Sequence, residues 1–187
     1  YIPDPKRRVI VRGVLLRRPL AVAMPCVGAS ALLGIDPAKD KLVMLEQALA
    51  VHDLRAFHAI YDSLAAARSL DRPGDTSMDY TYMESWMFSF LGDTAGAIRH
   101  LDRSLEALPT LGAYVLDYPA HSAALVRAMG LRAELAAATG DRATAARWGA
   151  AVAVLWAQAD PELQPYVRRL CGFAGKCAAA DAARSGR

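Results

Sequence analysis

Three short segments of the chain share one pattern, in which an aspartate follows a residue suited to ending a helix. They begin at His52, Gly92 and Gly140 and have the sequences HDLRAFHAIYDSLA, GDTAGAIRHLDRSL and GDRATAARWGAAVA. Glycine readily adopts the left-handed conformation that ends one helix, and aspartate is a favoured N-cap of the next. The pattern therefore predicts three helix pairs, each joined by a tight break.

The residue four positions after each aspartate is apolar and falls on the face that the second helix turns to the first. It is Phe57 in the first segment, Ala97 in the second and Ala145 in the third. Successive aspartates are 40 and then 48 residues apart, and helix pairs that repeat on this scale indicate an α-solenoid. We therefore predict an all-α fold, an α-solenoid of three antiparallel helix pairs with a C-terminal capping helix.

The helical domain is predicted to span residues 36–175. It begins at Asp36, an N-cap followed by proline at the first helical position, and its last helix begins at a matching Asp-Pro pair at 160–161. Residues 1–35 are predicted to be a connector, either a short strand or the end of a preceding domain. The small, polar residues 176–187 are predicted to be a frayed tail.

The middle unit, GDTAGAIRHLDRSLEALP, resembles the second half of a tetratricopeptide repeat (TPR), and the third unit keeps part of the same pattern. The repeat-defining residues are Gly92, Asp93, Ala97 and Pro109 in the middle unit and Gly140, Asp141 and Ala145 in the third. The third unit has Ala157 where the family has proline, and the units are spaced more widely than is usual in the family. The resemblance implies a TPR-like helical stack over about residues 37–172.

The same stretch is similar to TPR-like regions of large bacterial proteins, several of which carry a serine/threonine kinase or another regulatory domain upstream. This similarity keeps a second function open, that of a regulatory or sensory tail of a larger signalling protein. The kinase glycine-rich loop and the HRD and DFG motifs are absent from the sequence itself.

Composition excludes some classes of function. With 54% hydrophobic residues and a net charge of +3, the chain is neither a wholly disordered protein nor a strongly basic one. The arginines of the helical region alternate with acidic residues instead of interleaving with aromatic ones, so we expect no nucleic-acid partner. The 38 alanines favour helices, and the excess of 18 arginines over 4 lysines is typical of a GC-rich bacterial source.

The sequence contains none of the familiar catalytic or metal-binding motifs. Its four histidines do not form HExxH, its three cysteines do not form CxxC, and GxSxG and phosphate-binding loops are absent. We therefore predict a protein that is not an enzyme and takes no metal or cofactor. Three cysteines also predict a reducing compartment without a disulfide framework, with one bridge plus one free thiol as the alternative.

An apolar run at 20–35 follows several arginines, the order found in signal peptides. Pro25, Gly28 and Gly34 interrupt this run, and about 20 uninterrupted apolar residues are needed to span a bilayer. We therefore expect no membrane span and a cytoplasmic protein, although the run leaves a membrane or secretory link open.

Aromatic residues concentrate in the helix predicted at 77–91. Tyr82, Trp86 and Phe90 are spaced four apart, which places them on one helix face. In a solenoid the first helix of each pair lines the concave surface, so these three are candidate anchors for a peptide, a helix or a neighbouring subunit of a larger assembly. The alternative is that the rings pack between neighbouring helix pairs.

Charged residues near this face are predicted to form the rim of the binding surface: Asp79, Glu84 and Arg99. Trp148 and Trp156, eight apart on one predicted helix, are expected in the core or in contact with the last helix. The function predicted from the sequence is a non-enzymatic protein-interaction or scaffold module whose partner the sequence does not identify.

Overall fold

The computed structural model describes residues 41–67, 78–110 and 119–175. Within these ranges the regular structure consists of helices alone, so the predicted all-α class is confirmed. The helices are α1 (Lys41–Ala50), α2 (Leu54–Ala67), α3 (Met78–Phe90), α4 (Thr94–Glu106), α5 (Pro119–Ala138), α6 (Arg142–Leu155) and α7 (Gln164–Gly172), with a 3-10 helix at Leu108–Thr110.

The chain divides into two compact units, residues 1–69 and 70–187. The first unit holds α1 and α2, and the second holds α3 to α7. The predicted connector at 1–35, the predicted domain start at Asp36 and the predicted tail at 176–187 lie outside the described residues.

The three predicted breaks have the same N-cap geometry. A side-chain oxygen of the aspartate accepts a hydrogen bond from the amide three residues later, at 2.9 Å for Asp53, 2.8 Å for Asp93 and 3.0 Å for Asp141. The amide of the same aspartate donates to the carbonyl five residues earlier, at 2.8, 2.9 and 2.9 Å respectively. Each break thus satisfies backbone groups of both helices that it joins.

The residue before each capping aspartate has a left-handed backbone conformation. Its φ is 54° at His52, 85° at Gly92 and 83° at Gly140. Glycine adopts this conformation without a steric penalty, whereas a side chain such as histidine is strained there. The first break therefore keeps the geometry of the other two with a less suitable residue.

The apolar residue four positions after each aspartate is buried, as predicted. Phe57 and Ala97 are 0% exposed and Ala145 is 2% exposed. The ring of Phe57 stacks on that of Tyr61 within the first unit, with centroids 6.1 Å apart. A large side chain thus fills the position that alanine holds in the second unit.

In the second unit, α3 packs against α4, α5 packs against both of them and against α6, and α7 packs mainly against α6. A bidentate ion pair joins α4 to α5. The Arg132 guanidinium donates to the Asp102 carboxylate, with Nε–Oδ1 at 2.6 Å and Nη2–Oδ2 at 3.1 Å. The second helix of one pair is thereby tied to the first helix of the next.

The face that α3 turns to α4 is partly polar. The hydroxyls of Thr81 and Ser104 lie 3.1 Å apart, and Ser85 donates to the Thr81 carbonyl at 2.7 Å. Glu84 is only 2% exposed, and its Oε2 lies 3.2 Å from His100 Nε2. The prediction that Glu84 rims a binding surface is therefore wrong, because a buried carboxylate needs a polar partner and α4 supplies one inside the pair.

Two glycines allow α7 to approach its neighbours closely. A Cβ atom on Gly149 of α6 would lie 2.2 Å from the carbonyl oxygen of Leu170. A Cβ atom on Gly130 of α5 would lie 2.2 Å from the hydroxyl oxygen of Tyr166. Any larger residue at either position requires a displacement of α7 or of its tyrosine.

The last helix begins later than predicted. The residues after Asp160 form turns, and α7 starts at Gln164 with Pro165 in its first turn. A helix begun at Pro161 would place Pro165 at its fifth residue, where the missing N–H removes an internal hydrogen bond. Leu163 is the N-cap and makes no side-chain capping hydrogen bond, so Asp160 does not cap this helix.

Cys171 lies on the buried face of α7, where it packs with Ala153 and Val167 as a small hydrophobic side chain. Its sulfur also takes part in a disulfide bond. This finding favours the alternative of one bridge plus one free thiol over the expectation of no disulfide framework.

Candidate binding groove

A groove in the second unit is lined by side chains from α3, α5 and α7 and from the chain between α6 and α7. Its volume is about 240 Å³. The lining residues are Tyr82, Trp86, Arg127, Leu131, Glu134, Trp156, Leu163 and Tyr166. Because half of them are aromatic, we call it the aromatic groove.

Tyr82 and Trp86 form the wall that α3 contributes. They are four residues apart and share one helix face. Phe90, the third predicted anchor, does not line the groove: it ends α3, is 37% exposed and stacks on Trp86, with ring centroids 5.2 Å apart and planes at 20°. It supports the position of Trp86 from the side.

One stripe of α5 contributes Arg127, Leu131 and Glu134. These residues are four and three positions apart, so they follow one another along a single face. Leu131 is buried, Glu134 is half-buried and Arg127 is exposed. The stripe therefore places an apolar side chain between a cation and an anion that are about 10 Å apart along the helix axis.

Trp156 and Tyr166 form the opposite side. Trp156 is the C-cap of α6, and its ring centroid lies 6.4 Å from that of Tyr166 on α7. Trp156 also packs against the buried cluster around Val167, which confirms the expected contact with the last helix. Trp148 is buried, in agreement with the expectation of a core residue.

The two charged residues that line the groove, Glu134 and Arg127, differ in their ion pairing. Arg169 of α7 donates to the Glu134 carboxylate and forms an ion pair with it. Burial raises the pKa of Glu134 above its ordinary value, and Arg169 opposes this rise. Arg127 makes no ion pair within the part of the chain that the structure describes.

The hydroxyl of Tyr166 is a hydrogen-bond donor at neutral pH. Burial, followed by the nearby Glu134 carboxylate, raises its pKa well above the ordinary value for tyrosine. The hydroxyl rests against the backbone of Gly130, where a Cβ atom has no space. A glycine on α5 thus fixes the position of one ring of the groove.

The groove contains only part of the predicted site. Tyr82 and Trp86 line it, whereas Arg99 is exposed on α4 and does not. Asp79 belongs to α3, but its side chain lies outside the described part of the structure. Sequence reasoning missed the lining residues of α5 and α7, although a glycine in the middle of α5 is a sequence sign of close approach.

Comparison with known proteins gives no family, since no family model, curated protein or solved structure matches the chain. Among the described residues, no group of three or more histidines, cysteines and acidic residues is placed to hold a metal ion. None of the described helices is both long and apolar enough to cross a membrane.

Proposed function

We propose that the protein is a non-enzymatic protein-interaction module, a TPR-like solenoid that holds a peptide or helix of another protein in the aromatic groove. The observation that carries this proposal is the convergence of four aromatic rings on one groove. They come from α3, from the end of α6 and from α7. Aromatic side chains anchor protein interfaces because they bury a large area with few rotatable bonds.

The size of the groove favours a side chain of a protein partner over a small molecule. Its volume of about 240 Å³ is below the roughly 300–1,000 Å³ of typical small-molecule sites. One apolar side chain of a bound segment would occupy the space between the rings, and the rest of the segment would cross the rim. Such an anchor in an aromatic pocket is the usual centre of a peptide-binding interface.

The recurrence of one break geometry supports the TPR-like part of the proposal. Three breaks share the left-handed residue, the aspartate cap and the buried position four residues later. Within the second unit, α5 packs against both helices of the preceding pair. Stacking of each pair on the next is what a helical solenoid requires.

Tryptophan fluorescence provides a direct test. The chain has three tryptophans, so the Trp148→Phe variant leaves only the two that line the groove. We would screen an array of short peptides against this variant and titrate those retained while following the emission. Binding should shift the emission, because the bound side chain removes water from the rings of Trp86 and Trp156.

The variant Trp86→Ala should weaken binding by at least about thirtyfold, the loss typical of an interface hot spot. Leu155→Ala is the matched control, because Leu155 is 52% exposed and does not line the groove. Thermal unfolding of both variants separates binding from folding. Unchanged affinity in folded Trp86→Ala protein would refute the groove as the binding site.

A further inference from the structure

The two charged residues of the groove's α5 stripe differ in their partners. The Glu134 carboxylate is neutralised by Arg169 of α7. The Arg127 guanidinium is exposed and has no ion pair among the described residues. Among the charged residues that line the groove, Arg127 is therefore the one without an ion pair to any described residue.

The spacing of Arg127 and Leu131 along α5 sets the distance between the charged and the apolar side chain of a matching partner. Leu131 is four residues further along α5, which corresponds to about 6 Å along the helix axis. In a bound extended segment, side chains two positions apart are separated by about 6.8 Å and point to the same side. In a bound helix, residues four positions apart are separated by about 6 Å.

On the basis of the function proposed above, we propose that the aromatic groove binds an acidic peptide segment. Its apolar side chain enters between the rings above Leu131, and a carboxylate two positions away in an extended segment, or four in a helix, pairs with Arg127. A guanidinium recognises a carboxylate with two parallel hydrogen bonds, which gives the contact its geometry. A basic segment is disfavoured at the same end by like-charge repulsion.

The test uses arrays of end-blocked peptides with one leucine and one variable residue, placed two or four positions from the leucine. The variable residue is aspartate, asparagine or lysine. Parallel peptides keep a free C-terminus, which separates a side-chain carboxylate from a terminal one as the group that is bound. Affinities of the retained peptides are then measured by titration at low and high salt.

We expect the aspartate peptides to bind about tenfold more tightly than the asparagine peptides, a difference of about 1.4 kcal/mol, and to weaken as salt is raised. The Arg127→Gln variant should lose this preference. Arg99→Gln is the matched control: it removes the same charge from an exposed position outside the groove and should keep the preference.

The possible failures are distinguishable. Equal binding of aspartate and asparagine peptides, still abolished by Trp86→Ala, would overturn the acidic partner and leave the proposed function standing. If the preference for aspartate falls equally in Arg127→Gln and Arg99→Gln, the preference comes from net charge and not from Arg127. If binding requires the free C-terminus, the bound group is a terminal carboxylate and not a side-chain one. Failure of every peptide to bind would count against both proposals.

Discussion

The three helix breaks are formed by residues close together in the sequence. The contact of α7 with the rest of the second unit joins residues that are far apart in the sequence. A break is completed by hydrogen bonds between residues at most five apart. The α7 contact instead joins Gly130 to Tyr166, 36 residues later, and Gly149 to Leu170, 21 residues later. The break therefore depends on local conformation, and the α7 contact depends on the absence of side chains on another helix.

This difference separates what defines the helix pairs from what shapes the candidate site. The caps determine where the helices of each pair end and begin. Gly130 and Gly149 determine how close α7 lies to α5 and α6, and hence where Tyr166 lies in the aromatic groove. Substitutions at Gly130 or Gly149 should therefore destabilise the protein more than substitutions at a break.

Gly149→Ala should have the largest effect. The added Cβ atom would lie 2.2 Å from the Leu170 carbonyl oxygen, which moves only if the backbone of α7 moves. Overpacking of this kind destabilises a protein by about 3 kcal/mol, measured as the free energy of unfolding in denaturant. Gly172→Ala is the control, because its Cβ atom would meet nothing within 4 Å. Equal losses in the two variants would contradict the close approach.

Gly130→Ala should cost less, about 1–2 kcal/mol, because the atom it meets is the end of a side chain. Its Cβ atom would lie 2.2 Å from the Tyr166 hydroxyl oxygen, and the ring would have to tilt away from α5. The tilt should change the emission of Trp156. The double variant Gly130→Ala/Tyr166→Phe removes that oxygen and should recover most of the lost stability; no recovery would place the strain elsewhere.

The sequence was sufficient for the breaks because every group that forms them is close in the chain. His52, Gly92 and Gly140, together with the aspartates that follow, predict both the end of one helix and the cap of the next. The same reasoning misplaced Glu84, since its partner His100 lies on another helix. No local feature of the sequence shows whether a charged residue near an aromatic face is exposed at the rim of a binding surface or buried in a pair with another helix.

The groove was predictable on one wall only. The spacing of Tyr82 and Trp86 placed them on one face of α3, but the other lining residues lie 41 to 80 positions beyond Trp86. Arg127, Leu131 and Glu134 follow a helical stripe, yet α5 is rich in alanine and buries residues around much of its circumference. Without a distinct polar face, the sequence does not show which stripe faces the groove.

His52→Gly tests how far the breaks are equivalent. Its effect on stability should be smaller than that of Gly149→Ala or Gly130→Ala and of opposite sign. The left-handed φ of 54° at His52 strains a residue with a side chain, so glycine should stabilise the first unit by up to about 1 kcal/mol. Gly92→Ala should destabilise the second unit by a similar amount, since its Cβ atom would meet nothing within 4 Å and only its φ of 85° resists the change. A loss of stability in His52→Gly would show that the histidine side chain supports the break.

The smallest expected effect is on the pH dependence of stability. It should differ between a carboxylate at a break, Asp141, and one in the groove, Glu134. Hydrogen bonds from Thr144 lower the pKa of Asp141 in the folded protein. Its contribution to stability is therefore present at neutral pH and is lost as the pH falls through that lowered pKa.

Glu134 should show the opposite dependence. Burial raises its pKa in the folded protein, so its contribution is complete below the pKa of the unfolded chain and is lost as the pH rises through the raised folded pKa. In denaturant unfolding across the acidic range, Asp141→Asn should reduce the loss of stability on acidification, and Glu134→Gln should reduce the loss as the pH rises. Both variants keep the size of the side chain. If the two variants changed the pH profile in the same direction, the carboxylate in the groove would be stabilised by Arg169 more than it is disfavoured by burial.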